Sequence, residues 1–152
     1  MPQGQSPDCL QNTARPIEVW RGFSRGRLTR VVVINSDCFI EQVTATDRMG
    51  DPRWNDVFDY KSVIQALTAF ALYEGENNNG VVWSGKCSGF DAQVVVEGNY
   101  CHINRQQGTG YCVGFDVSPD LDYVNLQIAQ ECLTSFAVSL GKEASEGRLR
   151  LR

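Results

Sequence analysis

The sequence predicts an α+β protein: a single, mostly antiparallel sheet covered on one face by two helices and stapled by disulfides. Three observations point there. Two long segments place apolar residues at helical spacing, each behind capping residues. Several short segments alternate apolar and polar residues or are β-branched throughout. The chain also carries six cysteines, an even number, with no Cys-x-x-Cys pair among them.

Taken in order, residues 1–27 are rich in Gln, Arg, Gly and Pro without a sustained period. They read as an irregular, Arg-rich N-terminal arm, leaving 28–152 as a single α+β domain. Leu28–Ile34 is β-branched, ends at the turn cluster Asn35-Ser36-Asp37, and is predicted as a strand. Phe39–Ala45 is a second, weaker strand, and Asp47–Asn55, with Gly50-Asp51-Pro52, is a loop. A helix is predicted over 57–73, where Tyr60, Val63, Ile64, Leu67, Phe70 and Ala71 share one face. Asp56 or Asp59 can cap its start, and Gly75 stands where a left-handed cap would end it.

Val81–Ser84 follows as a short strand and Gly85–Asp91 as a loop. Ala92–Ile103 and Tyr111–Val117 are then predicted as a hairpin closed near Gln106-Gln107. That register sets Cys101 opposite Cys112, and Glu97 opposite Asp116. Ser118-Pro119-Asp120 opens a second helix, whose stripe Leu121, Val124, Ile128, Cys132, Phe136 and Leu140 ends at Gly141. The last six residues, Gly147 to Arg152, alternate as a terminal strand or a basic tail. No internal repeat and no second domain are apparent.

Even cysteine number and the lack of clustered ligands favour disulfides over zinc, and therefore an oxidising compartment. All six cysteines, Cys9, Cys38, Cys87, Cys101, Cys112 and Cys132, are expected to pair. The register predicts Cys101–Cys112, with Cys132 joined to Cys9, Cys38 or Cys87. No metal and no cofactor are expected.

Net charge is −4, which argues against general affinity for nucleic acid or anionic lipid. No apolar run approaches the ~20 residues of a membrane span. Arginines nevertheless cluster locally, and Arg21, Arg25 and Arg27 are candidates for binding an acidic partner. Trp54, in the predicted Pro/Gly loop, is a candidate exposed contact.

No phosphate-binding loop and no Gly-x-Ser-x-Gly elbow occur. His102 is the only histidine, and with Glu97, Arg105 or Asp116 it could serve a hydrolytic site. Strand alternation separates His102 from Glu97, so the expectation is no enzyme and no catalytic residue.

From Cys38 onward the spacing resembles a family of fungal secreted effectors, the necrosis-inducing extracellular effector domain, related to a killer toxin encoded by a virus of smut fungi. The matching residues are Cys38-Phe39, the helix around Ile64, Val82-Trp83, Gln93 through Gly98-Asn99-Tyr100-Cys101, Phe115 through Phe136, and Gly147-Arg148-Leu149. The sequence departs where that family has a cysteine at the first helix, here Asp59-Tyr60, and a terminal cysteine. The resemblance implies a secreted, extracellular virulence or antagonism protein. The expected function is therefore a small cysteine-rich, toxin-like effector, a monomer, binding a host protein or cell-surface component or a component of a competitor. The alternative is a small extracellular hydrolase, ribonuclease- or glycosidase-like, using hairpin carboxylates or His102.

Overall fold

The computed structural model describes residues 15–76, 80–87, 89–107 and 111–145. It confirms the α+β class and corrects the single sheet: there are two four-stranded antiparallel sheets. The first contains β1 (Ile17–Ser24), β2 (Arg27–Ile34), β3 (Asp37–Thr46) and β4 (Pro52–Asp56), in chain order, and is followed by helix α1 (Tyr60–Gly75). The second contains β5 (Gly80–Cys87), β6 (Phe90–Glu97), β7 (Tyr100–Gln107) and β8 (Tyr111–Asp116), again in chain order, and is followed by α2 (Tyr123–Ser145). No helix among the described residues is long and apolar enough to cross a membrane.

Short turns explain why two sheets form. Arg25 and Gly26 both adopt positive φ, 56° and 78°, and fold β1 onto β2 so that Ser24 pairs with Arg27. Such two-residue turns match the twist of the strands they join. The irregular arm expected through residue 27 is thus ordered strand from Ile17 onward. The segment 92–103, expected as one strand, turns back at Gly98 (φ 58°), where Glu97 pairs with Tyr100. The outer part of the expected loop 47–55 is β4, an edge strand whose first residue is Pro52, a position that needs no ladder donor. The C-terminal strand or tail at 147–152 lies outside the described residues.

The repeated order ββββα exposes a repetition in the sequence. The starts of β1, β2, β3 and α1 are residues 17, 27, 37 and 60; those of β5, β6, β7 and α2 are 80, 90, 100 and 123. Each pair differs by 63. At that spacing Val19-Trp20-x-Gly22 matches Val82-Trp83-x-Gly85, Val31-Val32-Val33 matches Val94-Val95-Val96, and Cys38 and Ile40 match Cys101 and Ile103. Asp59-Tyr60 matches Asp122-Tyr123. Along the helices, Leu67-Thr68-x-Phe70-Ala71 matches Leu133-Thr134-x-Phe136-Ala137 at a spacing of 66.

Equivalent residues meet across the middle of the molecule. The Phe70 and Phe136 rings lie 5.0 Å apart, and the Tyr60 and Tyr123 rings 5.5 Å apart and edge-on. Self-matching contacts of this kind are what a two-fold arrangement produces. The halves are also interlocked. Gly75, buried at the end of α1, backs onto Val96 of β6, whereas Gly141 of α2 backs onto Val33 of β2. These two glycines therefore serve close helix–sheet approach, which explains why neither is the left-handed helix terminator the sequence suggested. One core joins both halves, including Val31, Ile64, Phe70, Val94, Ile103 and Leu133.

Candidate functional site

On the outer face of the first sheet, antiparallel register lines up one residue from each strand. Arg21 pairs with Arg30, Arg30 with Glu41, and Glu41 with Asp56. Adjacent arginines repel, and their surroundings offset the repulsion. Arg21 donates to Glu18 at 2.7 Å, and Arg30 donates through Nε to Glu41 at 2.6 Å. Trp54, reaching from β4, lies under both guanidinium groups, 4.1 Å from Arg30 and 5.1 Å from Arg21 at the ring centroid. Each contact of this exposed kind contributes roughly 0.5–1 kcal/mol.

Beside this row is a depression of about 510 Å³ lined by Glu18, Arg30, Val32, Ile34 and Phe39. Phe39 is 39% exposed, and Phe23, further along β1, is 69% exposed. Of the sequence-predicted binding residues, the structure brings Arg21 and Trp54 together. Arg25 and Arg27 stand exposed at the β1–β2 tip. Trp54 is half-buried on a strand, where an exposed loop residue was expected. Arg30, Glu18 and Glu41 were not singled out from sequence. Once β1 and β2 are recognised as a hairpin, alternation puts Arg21 and Arg30 side by side.

The second sheet carries the lone histidine. His102 pairs with Asp116 across β7 and β8, and its Nδ1 is 2.8 Å from the Asp116 carboxylate. Glu97, expected opposite Asp116, instead faces Tyr100 across the β6–β7 turn. Arg105 points to the opposite, inner side, with its guanidinium 4.5 Å from the Phe90 ring centroid. Among the described residues no group of His, Cys, Asp and Glu is arranged to hold a metal ion.

No family model matches the chain, and no curated protein or solved structure matches it either.

Of the cysteines, only Cys38 and Cys101 occupy equivalent positions in the two halves. Cys38, Cys87, Cys101 and Cys132 are free thiols, and Cys9 lies outside the described residues. The expected Cys101–Cys112 bridge does not fit. Cys112 pairs with Gln106, five residues along β7 from Cys101, or roughly 17 Å away at ~3.4 Å per residue. A disulfide needs α-carbons within ~7 Å. The error came from closing the β7–β8 hairpin at Gln106-Gln107, whereas Gln107 pairs with Tyr111. Of the three partners expected for Cys132, the structure brings up Cys87. Its Sγ lies 3.7 Å from the Ile128 carbonyl, one helical turn before Cys132, and the two thiols are hydrogen-bonded. That contact, followed by burial, holds the Cys132 thiol protonated. Burial pushes Cys38 and Cys101 up to about 12, with Asp116 adding to the effect on Cys101. Cys38, Cys101 and Cys132 are therefore not activated as nucleophiles, which requires a lowered pKa.

Proposed function

We propose that this is a secreted, effector- or toxin-like binding protein that engages a host or competitor component through the outer face of its first sheet. The carrying observation is the pair Arg21 and Arg30 stacked on Trp54 between exposed Phe23 and Phe39. Arginine and tryptophan dominate recognition because they bury large rigid area while presenting directional donors. Here they are held in place by Glu18 and Glu41 before any partner arrives, which reduces the entropy lost on binding. Arg25 and Arg27 at the hairpin tip extend the contact. The resemblance to fungal secreted effectors and the even number of cysteines support the extracellular setting; Cys87 and Cys132, free thiols in the structure, are the pair placed to bridge there.

The test is binding of labelled protein to intact cells of a host and of a competing microbe. Trp54→Ala combined with Arg21→Ser is expected to remove most of the binding while leaving the melting temperature within a few degrees. Undiminished binding by that variant rejects the proposal.

A second reading is favoured by one contact, His102 Nδ1 to Asp116. In a small hydrolase, Asp116 would fix the imidazole so that Nε2 exchanges a proton with substrate. That reading requires RNA or glycoside hydrolysis that disappears in both His102→Ala and Asp116→Asn with the fold intact.

A further inference from the structure

The outer face of the second sheet repeats the geometry of the first with different chemistry. At the positions equivalent to Arg21, Arg30, Glu41 and Asp56, the register reads Ser84 with Gln93, Gln93 with Asn104, and Asn104 with Gly114. A row of four charges has become a hydroxyl, two amides and a bare backbone. The side chains of Ser84, Gln93, Asn104 and Gln106 form no hydrogen bond to another described residue, in contrast to the ion-paired row on the first sheet. They line a shallow depression of about 390 Å³.

The charged groups around it are already matched: Lys86 with Asp91 at 2.8 Å and His102 with Asp116 at 2.8 Å. Gly114 lets the His102 ring and the Asn104 amide lie across β8, because a β-carbon there would overlap both. Along β7, Gln106, Asn104, His102 and Tyr100 alternate onto this same face over roughly 20 Å. Tyr100, at one end, is 68% exposed.

We propose that this face is a binding site for a neutral oligosaccharide. Each sugar hydroxyl both donates and accepts a hydrogen bond, and the amide and hydroxyl side chains presented here do the same. An exposed tyrosine offers an apolar ring face with a polar edge, suited to lying against the C–H face of a sugar. Paired charges and a net charge of −4 disfavour a polyanion, which requires uncompensated cations. The length of the row suits several linked sugars better than one. This site is separate from the first-sheet surface and does not depend on it.

The experiment is titration of isotopically labelled protein with hexamers of N-acetylglucosamine, β-1,3-glucose, β-1,4-glucose and mannose, followed through backbone amide shifts. A single-stranded oligonucleotide is titrated in parallel. At least one neutral hexamer is expected to shift amides of β5, β6 and β7 and leave those of β1–β4 in place. Gln93→Ala combined with Asn104→Ala is expected to weaken that binding roughly tenfold or more, and Tyr100→Ala to weaken it independently. Both replace accessible side chains, and an unchanged spectrum elsewhere verifies their fold. The proposal is overturned by no sugar binding at millimolar concentration, by binding that both variants leave intact, or by binding of the oligonucleotide alone.

Discussion

The Asp59 carboxylate accepts the backbone N–H of Ser62 at 3.1 Å, and Asp122 accepts that of Asn125 at 2.8 Å, so the duplicated halves share a helix cap. The hydrogen bonds to Ser62 hold the Asp59 carboxyl below its ordinary value of 3.8. A depressed carboxyl stabilises the fold above its unfolded pKa and loses that contribution as pH falls through the folded one. Asp59→Ala is expected to cost about 1 kcal/mol at neutral pH, with the difference from the parent shrinking in acid; urea melts at neutral and acid pH check this. The thiols run the other way. Cys38 and Cys101, raised from 9.0 to about 12, stabilise the reduced protein below pH 9 and lose that contribution as pH rises toward 12. The double variant Cys38→Ala, Cys101→Ala should flatten this alkaline loss. Under oxidising conditions, peptide mapping is expected to link Cys87 to Cys132; a link from Cys132 to any other cysteine removes that assignment. The Asp59 cap was legible from sequence as one of two choices, because an acidic residue just before an apolar stripe has few other roles. The thiol pair was not, since contact between a strand end and a helix depends on tertiary packing.

Within the strands, the same local device occurs twice. β1 is bulged between Glu18 and Trp20, and β5 between Val81 and Trp83, and each tryptophan folds over the glycine two residues on. An added β-carbon at Gly22 or Gly85 would overlap the indole, so either Gly→Ala change is expected to cost about 1–3 kcal/mol by thermal melting. An exposed Gly-to-Ala change in a strand would otherwise be mild or favourable. The first helical stripe was legible because 3.6-residue periodicity survives over several turns: Val63, Ile64, Leu67 and Phe70 are all buried as expected. The second was legible only in Cys132 and Phe136, since the buried face runs through Leu126, Ala129 and Leu133 while Val124 is 64% exposed. The strand turns were harder. Val94, Val95 and Val96 lead directly into Glu97-Gly98-Asn99-Tyr100, and an apolar run gives no warning of where a two-residue turn interrupts it. Missing that turn put Glu97 on the wrong strand, and closing the next hairpin at Gln106-Gln107, where Gln107 instead pairs with Tyr111, displaced the β7–β8 register and the expected cysteine partner. On the candidate binding face, Arg21 and Trp54 were legible as types of residue. Their contact was not, because it joins β1 to β4 across the whole width of a sheet.

At the scale of the molecule, stability should concentrate where equivalent residues meet. Phe70 is fully buried and Phe136 is 3% exposed, so each Phe→Ala change is expected to cost about 3–5 kcal/mol. Because their rings touch, the double variant should depart from the sum of the singles; denaturant titration of all four proteins measures it. The duplication itself was hidden in the sequence. Identity is confined to short strings at bulges, inner-face valines and the helix–helix contact, while outward positions have changed freely, as Arg30 and Gln93 illustrate. Those conserved strings are the ones the packing constrains, and the altered ones are those available for recognition. Residues 1–76 expressed alone lack β6, against which Gly75 packs. They are expected to be unfolded when dilute and to associate as a symmetric dimer when concentrated, with each copy supplying the other's missing half; sedimentation across a concentration series distinguishes this from an independently folding monomer.

The exchange of contacts between Gly75 with Val96 and Gly141 with Val33 also governs the order of events during synthesis. When α1 leaves the ribosome its apolar stripe has only half of its eventual covering, because β6 has not yet been translated. The first sheet can form its hairpins locally, but it must then wait for α2, the last described element made. Maturation is therefore set by late, long-range closure, which slows folding and prolongs exposure of sticky surface. Slowing translation between Gly75 and Val96 should increase capture of the nascent chain by holdase chaperones, and the same delay placed after Ser145 should not.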